Sequence, residues 1–248
     1  MRETRIIMDM PVTLEIVDDA PDSELFGEVF AYFEYIDAKF SIFKEDSEIS
    51  RMNRGELALE DASEDMRIVF ALAEQFRQNT DGFFDIRHSG ILDPSGLVKG
   101  WAIYNAAELI RRKGMQNFYV EAGGDFQFCG KNSAGFNWQV GIRNPFNMEE
   151  IIKKISVSDC GVATSGTYIR GQHIYNPKVL HFPDSDIVSL TVIGPEIFSA
   201  DCFATAAFAM GREGISFIEN LVDYEGYMVD GNERAIFTSG FMRYVSNA

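Results

Sequence analysis

The chain has 248 residues, 46% hydrophobic and 13% aromatic, without low-complexity tracts, which excludes a disordered protein and supplies a large core for one large domain or two small ones. The 38 acidic residues outnumber the 22 basic ones, for a net charge of −16. Such a field repels phosphate backbones and anionic membranes and excludes nucleic acid as the expected partner.

Arg5 to Val17 places Val12, Leu14 and Ile16 on one face and reads as an opening strand. Asp22-Ser23 then starts a helix whose Leu25, Phe26, Val29, Phe30, Phe33, Ile36 and Phe40 recur at three- and four-residue steps, the stripe of a helix on a core. Residues 40–53 are polar and turn-prone, with caps for a short helix. A second amphipathic helix follows Ser63, turning Met66, Val69, Phe70, Ala73 and Phe76 inward and ending at Asn79-Thr80-Asp81-Gly82.

Two polar corners come next, Gly82-Phe83-Phe84-Asp85 and residues 92–100, joined by only a few residues. The second leads into a helix that ends at Arg111-Arg112-Lys113-Gly114. The amides of that helix start emerge beside Asp93 to Lys99, a natural place for phosphate oxygens, although Asp-Pro-Ser-Gly is equally ordinary turn chemistry. Strands at 118–121 and 126–129 flank a Gly123-Gly124-Asp125 turn, and 138–142, 155–159 and 162–168 continue the β-rich middle. His173 to Pro177 ends a further strand, and 187–193 is β-branched and apolar. A short helix over 213–221 and strands at 227–229 and 234–238 close the chain. Strands and helices mix without regular alternation, so the expected class is α+β, with mixed or antiparallel sheets and packed helices, as one domain over 1–248.

Between these stands an alanine-rich helix from Ser199 to Gly211, with Ser199 as its N-cap. Asp201 and Thr205, four residues apart, share a face and lie within about 5–6 Å of each other, close enough to hold one hard cation. The alternative is a solvated helix start in which Asp201 complements the positive end of the dipole.

Cys129, Cys160 and Cys202 are odd in number and lack metal-ligand spacing, so reduced, buried thiols are expected. No run approaches the roughly 18 apolar residues of a membrane span, and the first residues lack the apolar core of a signal peptide. The expected location is cytoplasmic, the alternative being a periplasmic protein whose export signal or lipid anchor has been removed.

Taken in register, these pieces resemble the ApbE family of flavin transferases, which move FMN from FAD onto a protein threonine using magnesium. The motifs are Phe40-Ser41 with Asp46-Ser47-Glu48-Ile49-Ser50 and Asn53, Gly82 to Asp85, Gly96-Leu97-Val98-Lys99-Gly100, and Gly123-Gly124-Asp125. They continue with Trp138 to Ile142, Ala163-Thr164-Ser165-Gly166, His173 to Pro177, and Ala200-Asp201 with Thr205. The resemblance implies a Mg²⁺ held by the carbonyl of Gly96 and the side chains of Asp201 and Thr205. It implies His173 as the group that takes the proton from the attacking hydroxyl. It also implies FAD contacts from Met8, Phe43, Phe83, Phe84, Asp85, Asp93, Lys99 and Tyr175, and an acceptor flavoprotein as partner. His88 and His181 lie outside the motifs.

Several positions depart from the family pattern. The insertion usual between Asp85 and Asp93 is short here, Met8-Asp9-Met10 replaces methionine-glycine-threonine, and Phe43 replaces a common tyrosine. Asn176 stands for an aspartate, and Ala204 for a carboxylate found in some members. Two other functions are compatible with the same residues: a Mg²⁺-dependent FAD pyrophosphatase giving FMN and AMP, and a flavin-binding protein without catalysis.

Overall fold

The computed structural model describes residues 1–18, 23–167, 175–178 and 185–246. β1 (Arg2–Ile7) and β2 (Met10–Ile16) pair antiparallel through a two-residue turn in which Met8 and Asp9 have φ of 54° and 56°. The expected single strand from Arg5 to Val17 is therefore two strands. Met-Asp carries neither glycine nor proline, so the sequence holds no signal for a turn that normally selects Asn-Gly or Asp-Gly.

α1 (Ser23–Phe40), α2 (Glu48–Asn53) and α3 (Glu64–Asn79) follow the apolar stripes closely. Ser47 accepts from Ser50 N and Ser63 from Met66 N, the two N-caps that fix where α2 and α3 begin. Phe26, Phe30, Phe33 and Ile36 of α1 are fully buried, each worth about 1.5–3 kcal/mol relative to exposure. The short β3 (Arg87–His88) and β4 (Ile91–Leu92) form a hairpin turned at Ser89 and Gly90, both with positive φ. This tight turn makes up the short connection between Asp85 and Asp93.

α4 (Ser95–Arg112) leads to β5 (Phe118–Ala122) and β6 (Asp125–Cys129), joined by Gly123 and Gly124 at φ 60° and 94°. A turn with two positive φ values is one that glycine makes without strain. β7 (Trp138–Asn144) and β8 (Asn147–Val157) form a separate hairpin, longer than the strand expected at 155–159. β9 (Gly161–Gly166), β10 (Ile187–Gly194), α5 (Ile197–Ala209), α6 (Gly214–Glu219), β11 (Glu225–Asp230) and β12 (Ala235–Phe237) complete the order. The strand expected to end at Pro177 falls largely outside the described residues.

The main sheet runs β1-β2-β5-β6-β9-β10-β11-β12, with antiparallel pairing throughout. Its two faces bury different cores. Phe118 and Val120 of β5 and Met228 of β11 face the helices, while the alternating Tyr119, Tyr227 and Val229 join Trp138, Ile155 and Phe241 beneath the β7–β8 hairpin. The result is an α+β fold of helices, sheet and hairpin, as expected. Among the described residues no helix is long and apolar enough to cross a membrane.

α5 begins at Ile197 rather than Ser199, which lies buried inside the helix. The true cap comes from across the sheet: Gln127 Oε1 accepts the Ile197 amide at 2.9 Å. The C-terminus follows expectation, with Gly211 at φ 67° just beyond the last turn. α4 and α5 cross at Gly100, where an added Cβ would stand 2.7 Å from Phe198 Cα and 3.3 Å from Asp201 Oδ2.

That crossing is testable. Gly100→Ala should cost about 1–3 kcal/mol by overpacking, lowering Tm by roughly 2–4 °C per kcal/mol. Gly27→Ala in α1, where nothing lies within 4 Å of the new Cβ, should be neutral or stabilising by up to about 1 kcal/mol. Equal melting of the two variants by calorimetry would refute the packing argument.

Candidate active site

A cavity of about 570 Å³ opens beside the β1–β2 and β5–β6 turns, the C-terminal end of β9, the start of α4 and the middle of α5. Its volume lies within the roughly 300–1,000 Å³ usual for small-ligand sites. Met8, Phe43, Phe83, Phe84, Asp85, Asp93, Gly96, Lys99, Tyr175, Asp201 and Thr205 all line it. Every residue singled out from the sequence is thus in one place, save His173, which lies outside the described residues, as does His181.

Asp201 and Thr205 reach the cavity because α5 places them one turn apart on the same face. Asp201 is 4% exposed, which rules out the solvated helix start considered above. Thr205 Oγ1 lies 3.4 Å from Ser165 Oγ of β9. The Gly96 carbonyl, in the first turn of α4, receives a long contact from Cys202 Sγ at 3.9 Å. Burial, then the neighbouring Asp201 charge, pushes the Cys202 thiol well above its ordinary pKa, so the nearest sulfur stays a neutral thiol rather than a soft thiolate ligand. What converges is a carboxylate, a hydroxyl and a carbonyl, the donor chemistry of a hard cation. Among the described residues no group of three His, Cys, Asp or Glu side chains is placed to hold a metal; a cation here would complete its shell with neutral oxygens, water or the oxygens of a bound anion.

The charge balance says the same. Asp9, Asp37, Asp85, Asp93 and Asp201 line the cavity against Lys99. Lys99 Nζ contacts Asp125 Oδ2 directly and stands 3.6 Å from Asp201 Oδ2. A diphosphate entering so acidic a space requires added positive charge.

The corner that carries Asp93 and Gly96 is held from a distance. Asn53 Nδ2 donates to the Leu92 carbonyl at 2.9 Å while Asn53 Oδ1 accepts the Leu92 amide at 2.7 Å, a side chain acting as a strand partner. Asp93 Oδ1 accepts the Ser95 amide at 3.0 Å, so part of the expected amide-rich helix start is satisfied internally. The adjoining wall is fixed by Tyr175, whose hydroxyl donates to the Asp85 carbonyl at 2.6 Å and whose ring stacks on His88 at 3.7 Å between centroids. Burial, then the Asp85 and Asp93 charges, pushes the Tyr175 hydroxyl above its ordinary pKa and keeps it a donor.

The aromatic residues divide. Phe84 is buried edge-on against Phe76 and forms the floor under Gly96. Phe83 is half-buried with the Lys178 ammonium 4.1 Å over its ring, an ion that also pairs with Asp81 at 2.6 Å. Phe43 is 89% exposed at the rim. Of the departures from the family pattern, Asn176 donates to the Ala209 carbonyl at 3.3 Å, and Ala204 is buried in the main core rather than lining the cavity.

Sequence reasoning assigned no role to Asp125, His88, Asp37, Thr164 or Ser165. Asp125, Thr164 and Ser165 stand within the Gly123-Gly124-Asp125 and Ala163-Thr164-Ser165-Gly166 motifs, whereas Asp37 and His88 carried no such signal and reach the site by tertiary packing.

The sequence model of the ApbE family matches residues 8–91 and 87–228, two stretches that overlap in the β3–β4 hairpin. An FAD:protein FMN transferase of Vibrio cholerae is 30% identical over 131 residues, 49% of this chain and 39% of that protein. The chain thus spans well under half of that relative's length. The FAD:protein FMN transferase of Haemophilus influenzae is 23% identical over 286 aligned residues, covering 86% of this chain and 83% of its own. Among solved structures, the flavin transferase ApbE of Vibrio cholerae superposes with a TM-score of 0.87 at 22% identity, covering 98% of each chain. An ApbE protein of Thermotoga maritima gives 0.88 at 19% identity, covering 100% of this chain and 99% of its own. The superpositions establish the fold, and the match of the family model across both halves of the cavity establishes the kinship: the chain belongs to the ApbE family.

Proposed function

We propose that this chain is an FAD:protein FMN transferase that uses Mg²⁺ to move the FMN half of FAD onto a threonine hydroxyl of an acceptor flavoprotein, releasing AMP. The observation that carries the reading is the convergence of Gly96, Asp201 and Thr205 with Lys99, Asp93 and Tyr175 on one acidic cavity. Relatives named for that activity support it.

Asp201, Thr205 and the Gly96 carbonyl would hold the Mg²⁺, with diphosphate oxygens completing its shell. When bound, the ion supplies the positive charge that a diphosphate needs among these aspartates. Lys99 and the first turn of α4 face the phosphates with an ammonium and the positive end of the helix dipole. Phe83, presenting an apolar ring at the wall, and Phe43 at the rim offer stacking surfaces for the flavin or adenine rings. Tyr175 binds no phosphate; it secures the Asp85 corner through its hydroxyl. In the transfer, the acceptor oxygen bonds to the FMN phosphorus, the bond from that phosphorus to the bridging oxygen breaks, and AMP departs with that oxygen. The proton of the acceptor hydroxyl goes to a base, a role the reading gives to His173. Water in the acceptor's place would yield free FMN and AMP at the same residues.

The test is incubation with FAD and Mg²⁺, with and without an acceptor protein bearing a candidate threonine, following AMP and protein-bound flavin together. Both products are expected, and Asp201→Ala should lower their rate by about 10²-fold or more. AMP with free FMN and no labelled acceptor, across several acceptors, would mean a hydrolase; bound FAD with no AMP would mean flavin holding without catalysis.

Tyr175→Phe should loosen the Asp85 corner without touching the reacting atoms. Loss of one net hydrogen bond of about 1 kcal/mol predicts roughly a fivefold rise in KM for FAD with kcat little changed. A fall in kcat at constant KM would place Tyr175 in the chemistry instead.

A further inference from the structure

The hairpin between Asp85 and Asp93 is too small to hold itself. β3 and β4 have two residues each, with a turn at Ser89 and Gly90, and so short a ribbon depends on contacts from elsewhere. One of these contacts runs from His88, which lies outside the cavity lining, to Tyr175, which belongs to it. The two rings stack with centroids 3.7 Å apart and planes 26° from parallel. Tyr175 belongs to no helix or strand, so its ring is placed by side-chain contacts. Its hydroxyl fixes one end, donating to the Asp85 carbonyl at 2.6 Å with the Arg87 carbonyl at 3.5 Å. A hydrogen bond at the tip leaves the ring free to turn about its long axis. The imidazole over its face stops that motion.

The nitrogens of His88 do not explain its place. Nε2 lies 3.1 Å from Ser89 Oγ, its neighbour in the exposed turn, while Nδ1 is buried with no hydrogen-bond partner among the described residues. A buried polar atom left unpaired costs stability, so the imidazole stands here with one nitrogen unused and its face engaged. We propose that His88 is a positioning residue: it backs Tyr175 from outside the cavity, fixes the plane of that ring, and through it sets the wall against which FAD binds. The proposal rests on the reading of the cavity as an FAD site. A role carried by the face has a consequence that a role carried by a nitrogen lacks: another flat ring can replace His88, and a small side chain cannot.

The test measures FAD binding to the full chain by fluorescence anisotropy, with Ca²⁺ in place of Mg²⁺ as a hard cation that takes oxygen ligands. His88→Ala should weaken binding by about 3–10-fold, the scale of one lost aromatic pair. His88→Phe, which keeps a ring and drops both nitrogens, should bind within about twofold of wild type. In a Tyr175→Leu background, adding His88→Ala should cost less than about twofold more, because the ring it supports is gone. Equal FAD affinity in wild type and His88→Ala overturns the proposal, whatever the variant does to melting. So does a His88→Phe variant as weak as His88→Ala, which assigns the effect to a nitrogen. A full further loss on adding His88→Ala to Tyr175→Leu also overturns it, since His88 then acts by another route. No FAD bound by a wild type that calorimetry shows to be folded sinks the FAD reading of the cavity and the role of His88 with it.

Discussion

The close crossing of α4 over α5 at Gly100 is the constraint on which the site depends. Because Gly100 has no Cβ, the two helices approach until the backbone of one meets the backbone of the other, and Lys99 is brought beside Asp201. The same approach buries the Asp201 carboxylate and the Cys202 thiol in adjoining space. Burial raises the energy of every uncompensated charge there, so the ion group of Lys99, Asp125 and Asp201 is both a product of the packing and a condition for it.

The rest of the molecule serves to present that crossing. The sheet carries helices on one face and the β7–β8 hairpin on the other, so that strand positions alternate between two cores and the sheet stays rigid under the cavity. Loops are then pinned one by one. Asn53 ties down Leu92, Gln127 caps α5 from across the sheet, and Tyr175 bonds back to the Asp85 carbonyl. Each pin joins segments distant in the chain, which is how a cavity walled mostly by turns is held in one shape.

The β1–β2 and β3–β4 turns mark where this chain goes its own way. Met8 and Asp9 adopt left-handed backbone angles at the cavity rim without a glycine, a cost that persists only where neighbouring structure enforces it. Ser89 and Gly90 close a minimal hairpin. The wall between Asp85 and Asp93 is consequently thin, and it is stiffened by the stack of His88 on Tyr175.

The helices were legible because their signals are local. Apolar residues at helical steps defined α1 and α3, Ser47 and Ser63 capped where expected, and the four-residue spacing of Asp201 and Thr205 put both on one face. The motifs likewise identified a family and a set of residues that the fold gathers into one cavity. Other features were invisible along the chain: the turn at Met8-Asp9, the start of α5 at Ile197, and the partnership of Asp125 with Lys99. Each depends on atoms supplied by a distant segment, the neighbouring strands for the turn, Gln127 for the helix start, and the α4–α5 crossing for the ion pair. Sequence alone determined where the helices run and that Asp201 and Thr205 share a face, since periodicity and capping are nearest-neighbour physics. Tertiary structure decided which charges are buried together, because burial and long-range pairing exist only once the chain has packed.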